Sequence, residues 1–522
     1  MDDSTNMSYA ALHQRNATEQ IVPFCNHTRC GQQQLTDEIL RFSQALLQLN
    51  GDNRHVLFVL SGLLVLLMQS GFPLVQYGSR KNSASHVLVV FIYHTIIAGI
   101  IFWLIGYGIA FGDGLGFVGG NFFAGLNLSS DDASHWFFHL TLDATVCSIV
   151  VSSMADRGTF ISYVIVTILV SGLIHPFVVH WCWSPFGWLY QNGAMYYRDY
   201  AGAGVIHVSA GACATVAVAM AGPRSVRSDT VQRKPGHTIP ISIVGSFLLI
   251  VGYVAIACGT QAGRKVQNLT TSSIVDSITS TVLAANFGGA AYLCCHRLQK
   301  CCRNGRREVQ PDALVSLSYF LAGSVAGMVS VSAGCDSFPM WASVTVGVIG
   351  SLFAFFLHLV VAFFKGEDEI HFVGVHLGAG IWGLMAAPVF EYPDGMIMGK
   401  INNSRMVIAW NLAAGSIILA WSGALSVIVF FTLKCLKFYS IDYDLKGSDI
   451  LRQGQTSSPA PSSADNSYFH VYPQSNENGN SIMDYDIPLN VKNRANDRYP
   501  TIPQQPFGTR NEAFLSESAT QL

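Results

Sequence analysis

Long apolar stretches with few charged residues recur along most of this chain and alternate with short polar segments. A helix needs about 20 apolar residues to cross a bilayer core of roughly 30 Å. Eleven stretches meet this requirement, at residues 55–77, 86–112, 135–155, 159–179, 200–222, 239–259, 273–295, 313–334, 339–364, 371–390 and 407–433. The third and the seventh each contain one acid, Asp143 and Asp276. The pattern predicts an all-α polytopic membrane protein with eleven transmembrane helices.

The composition agrees with this prediction. Charged residues make up 12% of the 522 residues, about half the ~25% of a soluble domain. A net charge of −2 without a basic domain argues against nucleic acid as a partner. The polar N-terminus lacks the apolar core of a signal peptide, and the C-terminal segment is rich in Ser, Pro, Asn and Gln, which favours disorder. We predict an extracellular glycosylated tail (1–54), a membrane domain (55–434), a cytosolic tail motif (435–454) and a disordered cytosolic tail (455–522).

Basic residues predict the orientation, because cytosolic loops are enriched in Lys and Arg. One set of short loops holds most of them, including Arg80, Arg224 and Lys365, whereas the opposite loops hold only Arg198, Arg264, Lys265, Lys400 and Arg405. Glycosylation sequons must face the lumen, and all of them fall on that second side: Asn6, Asn16, Asn26, Asn127, Asn268 and Asn402. We therefore predict a multi-pass plasma-membrane protein with its N-terminus extracellular and its C-terminus cytoplasmic.

The cysteines predict no cofactor. Cys25 and Cys30 lie in the external tail, where they either form a disulfide or stay free. Four more, Cys294, Cys295, Cys301 and Cys302, flank the inner end of the seventh span. They suggest either zinc binding with His296 or juxtamembrane palmitoylation. Adjacent cysteines suit tetrahedral zinc poorly, so we favour palmitoylation and predict no metal.

Two similar segments, each with one histidine, indicate an internal repeat. The chain reads Val205-Ile-His-Val-Ser-Ala-Gly211 in the fifth span and Gly374-Val-His-Leu-Gly-Ala-Gly380 in the tenth. A five-helix repeat must be inverted, and inverted repeats place the substrate path at their interface. We therefore predict two inverted five-helix repeats plus an eleventh helix, with His207 and His376 at the interface. Alternatives are a hydrogen bond from each His to a backbone carbonyl, or haem ligation, which the absence of a ligand pair ~13 residues apart on one helix disfavours.

The run from Asp199 to His207, continuing to Gly222-Pro-Arg224, resembles the signature of the ammonium transporter (Amt/Mep) family. The resemblance covers roughly residues 50–455 and extends to further motifs: Leu-Met-Gln-Ser-Gly at 67–71, Ala155-Asp-Arg157, His180-Trp-Cys-Trp183, Ala333-Gly-Cys335 and His376-Leu-Gly-Ala-Gly-Ile-Trp-Gly383. The Trp183 and Asp199 contexts favour the Amt branch over the Rhesus-type relatives.

The resemblance implies a transporter rather than an enzyme, a homotrimer in the lipid bilayer with one pore per subunit, and ammonium or its analogue methylammonium as substrate. It carries the twin pore histidines onto His207 and His376, and the external recruitment site onto Trp183 and Thr260. An aromatic face attracts a cation, and a threonine oxygen accepts a hydrogen bond from ammonium. Asp199, at the head of the fifth span, is expected to cap the helix and to bias the local field.

The chain departs from the family at the pore entrance. Leu142 and Ile256 stand where the family usually has two stacked Phe rings. Both keep the constriction apolar without offering an aromatic face, although Phe137 or Phe138 could swing in. Gating and selectivity are therefore open at this point.

The third span also departs from the family. His135, His139 and Asp143 recur every fourth residue and share one helical face, with His139 where the family usually has Gln. One hypothesis is a modified cation entrance, in which His139 and Asp143 form a proton-accepting pair. The other is a His–Asp salt bridge at the trimer interface.

Two further differences concern a helix cap and the tail. His371 replaces an acid that commonly caps the tenth helix, and Asp368 or Glu367 is expected to substitute. Gly447-Ser-Asp449 and Gly454, with Gln453 in place of His, partly match a cytosolic tail motif that could dock on a neighbouring subunit.

The sequence thus predicts a channel or transporter that recruits ammonium and conducts ammonia, with or without the proton, through a hydrophobic twin-histidine pore. The alternatives are an ammonium sensor with little flux and a transporter of another small cation.

Overall fold

The computed structural model describes residues 41, 52–79, 84–114, 116–154, 157–192, 195–222, 238–263, 271–304, 313–366, 368 and 371–439. Within these residues, ten helices are long and apolar enough to cross a membrane, and α8 is a shorter apolar helix. The helices are α1 (Asp52–Tyr77), α2 (Val87–Phe111), α3 (Asp132–Met154), α4 (Phe160–Trp183), α5 (Ala203–Ala221), α6 (Pro240–Ala262), α7 (Ser273–Cys302), α8 (Val315–Val331), α9 (Met340–Phe363), α10 (Val373–Phe390) and α11 (Ile401–Cys435).

The order and positions of these helices confirm the predicted fold class. The predicted bounds differ mainly at the ends, since α4 continues to Trp183 and α11 already begins at Ile401. The 35 residues of α11 make a helix of about 52 Å at 1.5 Å per residue, longer than the bilayer core. The helices thus continue beyond their apolar segments into polar residues, where backbone hydrogen bonds still stabilise them. Hydropathy detects only the apolar segment of each helix.

The two acids that interrupt predicted spans lie in different surroundings. Asp276 is exposed near the start of α7, so it lies at one end of that helix. Asp143 is completely buried in the middle of α3. Of these two acids, Asp143 is therefore the one that lies inside the protein.

Glycine pairs allow helices of the two halves to pack closely. A Cβ added at Gly71 in α1 would lie 2.7 Å from the Gly245 carbonyl oxygen in α6, and one added at Gly245 would lie 2.9 Å from the Gly71 oxygen. These are the first helices of the two predicted repeats, and each presents the same contact to the other. Small residues at such crossings allow the backbone contact that drives helix association in lipid.

Four helices contain a π-helical segment, with hydrogen bonds one residue longer than in an α-helix. The segments are Phe102–Gly106 in α2, Val170–Ile174 in α4, Ala203–Val208 in α5 and Val373–Gly378 in α10. The last two contain the paired histidines. The connecting segments add short 3₁₀ turns at Phe123–Gly125 and Met396–Met398, and an antiparallel pair of strands, β1 (Gln191–Asn192) and β2 (Met195–Tyr196).

Several predictions lie outside the described residues. These are the sequons at Asn6, Asn16, Asn26 and Asn268, the Cys25–Cys30 disulfide, the alternative cap Glu367, and the tail from residue 440 onward. Asn127 and Asn402 are described, and both are exposed.

Candidate functional site

The site is built on two matching helix heads, those of α5 and α10. Asp199 stands eight residues before His207, and Asp368 stands eight residues before His376. Each acid binds the backbone amides at the start of the π-helical segment that holds the histidine. The equal spacing is visible in the sequence and identifies Asp368 as the counterpart of Asp199.

Asp199 uses both carboxylate oxygens as acceptors. One accepts from the amides of Gly202 and Ala203 at 3.0 and 2.6 Å. The other accepts from Gly204 and Val205 at 2.8 and 3.0 Å, and also from the Tyr197 hydroxyl. Burial raises the pKa of the Asp199 carboxyl above its ordinary value, and the amide hydrogen bonds oppose that rise. Asp199 therefore has the expected capping contacts.

Asp368 makes the corresponding cap in the second half. Its two oxygens accept from the amides of Phe372 and Val373, both at 2.8 Å. The expectation that Asp368 substitutes for the acid missing at position 371 therefore agrees with the structure. His371 is consequently not needed as a cap.

Glycines four residues after each histidine bring the helices together. A Cβ at Gly211 would lie 2.6 Å from the backbone nitrogen of Leu377, the residue after His376. A Cβ at Gly380 would lie 2.7 Å from the Ala203 carbonyl oxygen at the head of α5. Larger residues would separate α5 from α10, so this His-x-x-x-Gly spacing sets how closely the histidines approach.

His207 and His376 face each other in the interior. Their Nδ1 atoms lie 3.2 Å apart, and their rings are nearly parallel, with centroids 5.2 Å apart at 16°. Both side chains are buried. At this distance one nitrogen donates and the other accepts, so the two imidazoles share a proton position. Tyr253 of α6 lies beside His207, with ring centroids 5.6 Å apart.

Trp183 and Thr260 lie at the ends of α4 and α6, near the head of α5. The Trp183 indole N–H donates to the Asp199 carbonyl oxygen at 2.9 Å, which fixes the ring. The Thr260 hydroxyl donates to the Ile256 carbonyl oxygen at 2.9 Å. Because that bond uses its only hydrogen, the Thr260 oxygen is left as an acceptor.

Leu142 and Ile256, the residues aligned with the family's Phe positions, are both buried. An aromatic ring is nevertheless present at the same end of α3, because Phe138 packs against Gly259, the residue before Thr260. Phe137 instead packs against Gly62 of α1. Phe138, rather than Phe137, is therefore the ring that packs against the residue preceding Thr260.

The structure does not bring His139 and Asp143 together, so neither hypothesis that paired them is supported. The His139 ring lies among His135, Phe111 and Trp183, with centroids 4.2, 4.4 and 5.8 Å away. Asp143 instead contacts the Ser171 hydroxyl of α4, 2.5 Å from Oδ2. Residues four apart share a helix face, but these two side chains engage different neighbours. His139 lies towards the Trp183 end of α3, while Asp143 is buried between α3 and α4.

Sequence reasoning missed Arg198, which it counted only as an external charge. The guanidinium contacts Asp336 at 2.9 Å and Glu391 at 2.8 Å. Burial lowers the pKa of Arg198, but the charges of Asp336 and Glu391 outweigh that effect and raise the pKa above its ordinary value. Its partners are 138 and 193 residues distant, so no local pattern signals the cluster.

No group of three or more His, Cys, Asp or Glu side chains among the described residues is arranged to hold a metal ion. The four juxtamembrane cysteines are free thiols, of which Cys294 and Cys302 are exposed. The zinc alternative therefore has no support in the described region.

Comparisons with known proteins agree with the fold. A sequence model of the Ammonium Transporter Family matches residues 56–457. The chain is similar to Putative ammonium transporter 1 of Caenorhabditis elegans, at 26% identity over 439 residues that cover 78% of this chain and 79% of the relative. It is also similar to Ammonium transporter Amt2 of Archaeoglobus fulgidus, at 28% identity over 400 residues, covering 72% and 81%. A solved structure described as Sensor Amt Protein has a TM-score of 0.67 at 23% identity, covering 78% of this chain and 100% of that chain.

Proposed function

Because this chain belongs to the ammonium transporter family, we propose that it recruits ammonium at an external vestibule and conducts ammonia through an apolar pore lined by His207 and His376. The observation that carries the proposal is the pair of buried imidazoles, contributed by matching helix heads, with nitrogens 3.2 Å apart. The family is one of transporters rather than enzymes, and the chain is a multi-pass membrane protein.

Recruitment uses the aromatic face of Trp183 and the oxygen of Thr260. Since the indole N–H is already bonded to Asp199, the exposed part of the ring offers its π face to a cation. Such a contact is worth about 0.5–2 kcal/mol, and more when the cation is desolvated. Ammonium can donate to Thr260, whereas a bare metal ion has no hydrogen to donate.

The imidazole ring of His139 extends this entrance. It meets Trp183 at 70°, with centroids 5.8 Å apart, and it stands where the family usually has Gln. A neutral imidazole presents one acceptor nitrogen to ammonium. We therefore assign His139 to the vestibule and leave Asp143 out of it.

Beyond the vestibule, Leu142 and Ile256 form the constriction. Moving an ion into apolar surroundings costs many kcal/mol, whereas neutral ammonia avoids that cost. Ammonium that loses its proton can therefore enter. Each imidazole of the histidine pair can then either donate a hydrogen bond to ammonia or accept one from it. Membrane currents recorded while the ammonium concentration and the pH are varied independently distinguish two cases. The proton either returns to the outside or crosses the membrane with ammonia, and only the second case moves net charge.

Uptake of labelled methylammonium by yeast deficient in ammonium uptake tests the proposal. We expect uptake by the unaltered chain and a loss of about tenfold or more in His207→Leu and His376→Leu, since each tenfold corresponds to about 1.4 kcal/mol. A lost buried hydrogen-bond partner costs about 1–3 kcal/mol. His55→Gln is the control. His55 lies at the start of α1, away from the pair, and hydrogen-bonds to Ser134 of α3.

Three outcomes contradict the proposal in different ways. Full uptake in both histidine variants removes the pair from the pathway. Ammonium binding without flux in the unaltered chain favours the sensor. Stronger competition by another small cation than by ammonium favours a redirected transporter.

We further propose a plasma-membrane location, an extracellular N-terminus and a homotrimer. The loop charges and the exposure of Asn127 and Asn402 support the orientation. Loss of an endoglycosidase-sensitive mass shift in Asn127→Gln tests glycosylation at that position. Chemical cross-linking in the native membrane tests the trimer, which a monomer-only pattern would refute.

A further inference from the structure

The inner end of α7 holds the cysteines for which the sequence favours palmitoylation. Asp276 and Arg297 are charged residues near the two ends of this helix, and the stretch between them is about 30 Å long, which matches the thickness of a bilayer core. Cys294 therefore lies at the inner edge of the core. Cys302 lies about 12 Å further along the helix, beyond the core and, by the proposed orientation, on the cytosolic side.

Two of the four thiols are exposed and lie on one ridge of the helix. Cys294 and Cys302 are exposed, whereas Cys295 and Cys301 are half-buried. Exposed residues recur at every fourth position along this end of α7, at 290, 294, 298 and 302. Because residues four apart are neighbours on a helix surface, the exposed thiols form a thiol ridge, with Leu298 between them.

A different side of α7 packs against α8. The Arg297 guanidinium donates a hydrogen bond to the Ser316 hydroxyl of α8. The His296 ring stacks on Tyr319 of the same helix, with centroids 3.5 Å apart. At 3.6 residues per turn, His296 lies about 160° and Arg297 about 100° around the helix from Leu298. The thiol ridge therefore points away from α8, towards the surroundings of the subunit.

Leu298 gives the thiol ridge an apolar surface where the rest of the helix end is polar. It is 60% exposed, and its neighbours in the sequence are Arg297, Gln299 and Lys300. A single exposed leucine is ordinary, but this one lies one turn from each exposed thiol, on the direct route from Cys302 back to the bilayer. A long acyl chain on Cys302 would cover Leu298, and the burial of apolar surface is favourable.

The spacing of the two exposed thiols excludes chemistry that they would have to share. Cys294 and Cys302 are separated by about 12 Å along the helix, whereas a disulfide needs Cα atoms within about 7 Å and zinc binds sulfur at about 2.3 Å. Each exposed thiol therefore reacts independently of the other. Arg297 and Lys300 attract anionic lipid headgroups, which keeps this helix end close to the bilayer, where fatty acyl groups partition.

We propose that Cys294 and Cys302 are S-acylated with long-chain fatty acids, whereas Cys295 and Cys301 stay free thiols. The donor is a fatty acyl thioester of coenzyme A. The cysteine sulfur attacks the acyl carbonyl carbon, the carbon–sulfur bond of the donor breaks, and coenzyme A leaves as a thiol with the proton that the cysteine gives up. The product is again a thioester, so the modification is reversible. The inference rests on the proposed orientation and is independent of the proposed transport.

The test counts thioesters on the full chain, purified from the membranes of eukaryotic cells that express it. Free thiols are blocked with N-ethylmaleimide, thioesters are cleaved with neutral hydroxylamine, and each released thiol receives a polyethylene glycol maleimide that adds one mass step. Every chain carries Cys435→Ser, because Cys435 at the end of α11 is also exposed. We expect two mass steps in this reference chain, and none when hydroxylamine is omitted.

Two double variants of the same helix end locate the acylated thiols. Cys294→Ser with Cys302→Ser should lose both mass steps, and each single replacement should lose one. Cys295→Ser with Cys301→Ser is the matched control, since it removes the same number of thiols from the same two turns, and it should keep both steps. Steps that persist in the first double variant, or that disappear in the second, would overturn the assignment.

A direct label identifies the attached group. Cells fed an alkyne-tagged palmitate should label the reference chain, and the label per chain should fall to background in Cys294→Ser with Cys302→Ser. Mass steps that require a reductant instead of hydroxylamine would overturn the proposal in favour of disulfides. Methylammonium uptake by the same chains separates the two proposals: mass steps without uptake would refute the proposed function alone, and uptake without mass steps would refute the acylation alone.

Discussion

At the residue scale, Asp143 shows how the number of available hydrogens bears on a protonation state. The Ser171 hydroxyl lies 3.0 Å from the Ala98 carbonyl oxygen and 2.5 Å from Asp143 Oδ2. Ser171 has one hydrogen, and the carbonyl can only accept. If Ser171 donates to Ala98, the hydrogen in the short contact belongs to Asp143. A neutral acid also avoids the large cost of an unpaired buried charge.

We predict that Asp143→Asn leaves both stability and the pH dependence of uptake unchanged, within about 0.5 kcal/mol. The amide keeps the size of the protonated acid and can still donate to Ser171. Ser171→Ala should destabilise the protein by about 1–3 kcal/mol, because it leaves a buried polar group unpaired. Melting of the purified protein in detergent and uptake across external pH check both. A shifted pH profile in Asp143→Asn would show that this acid ionises during transport.

At the scale of elements, the two helix heads are alike in plan. Asp199 accepts from four backbone amides and a tyrosine hydroxyl, whereas Asp368 accepts from the amides of Phe372 and Val373. Charge-assisted bonds of this kind are roughly twice as strong as neutral ones. The α5 head also carries the Trp183 contact.

We predict that Asp199→Ala and Asp368→Ala each lower stability by about 1–2 kcal/mol, the usual range for a lost helix cap. Asp394→Asn, at an exposed position, should change stability by less than about 0.5 kcal/mol. Melting temperatures of the three variants in one detergent give the order. An effect of either Ala variant no larger than that of Asp394→Asn would contradict the prediction.

At the scale of the whole molecule, Arg198 joins the head of α5 to two distant parts of the chain. Its side chain is 11% exposed, and those of Asp336 and Glu391 are 3% and 9% exposed. The Arg198 backbone also exchanges two hydrogen bonds with Asn411 of α11. This cluster holds the N-terminal end of α5 against the second half of the protein.

We predict that Arg198→Met destabilises the protein by about 3–5 kcal/mol, because two buried carboxylates lose their cation. Arg405→Met is the control, since Arg405 is exposed and its loss should cost less than about 0.5 kcal/mol. Thermal unfolding in detergent compares the pair. Equal melting temperatures would show that water or another cation compensates the carboxylates.

The parts of the site that were predictable are those with a local signal. The two His-containing segments predicted a pair because they match residue by residue, and the structure brings their rings together. His139 and Asp143 lie on the same face of α3, but this does not place their side chains in contact. The neighbouring residues determine the contacts: His139 lies beside Trp183, whereas Asp143 contacts Ser171.

The sequence by itself determined the order and apolar character of the helices and the family, because these depend on composition and spacing along one chain. Tertiary structure alone decided other polar contacts inside: Asp143 with Ser171, and Arg198 with Asp336 and Glu391. The physical reason is that lipid-facing positions need only be apolar. A buried polar group needs a partner at hydrogen-bond distance, and only the packing of distant helices supplies it.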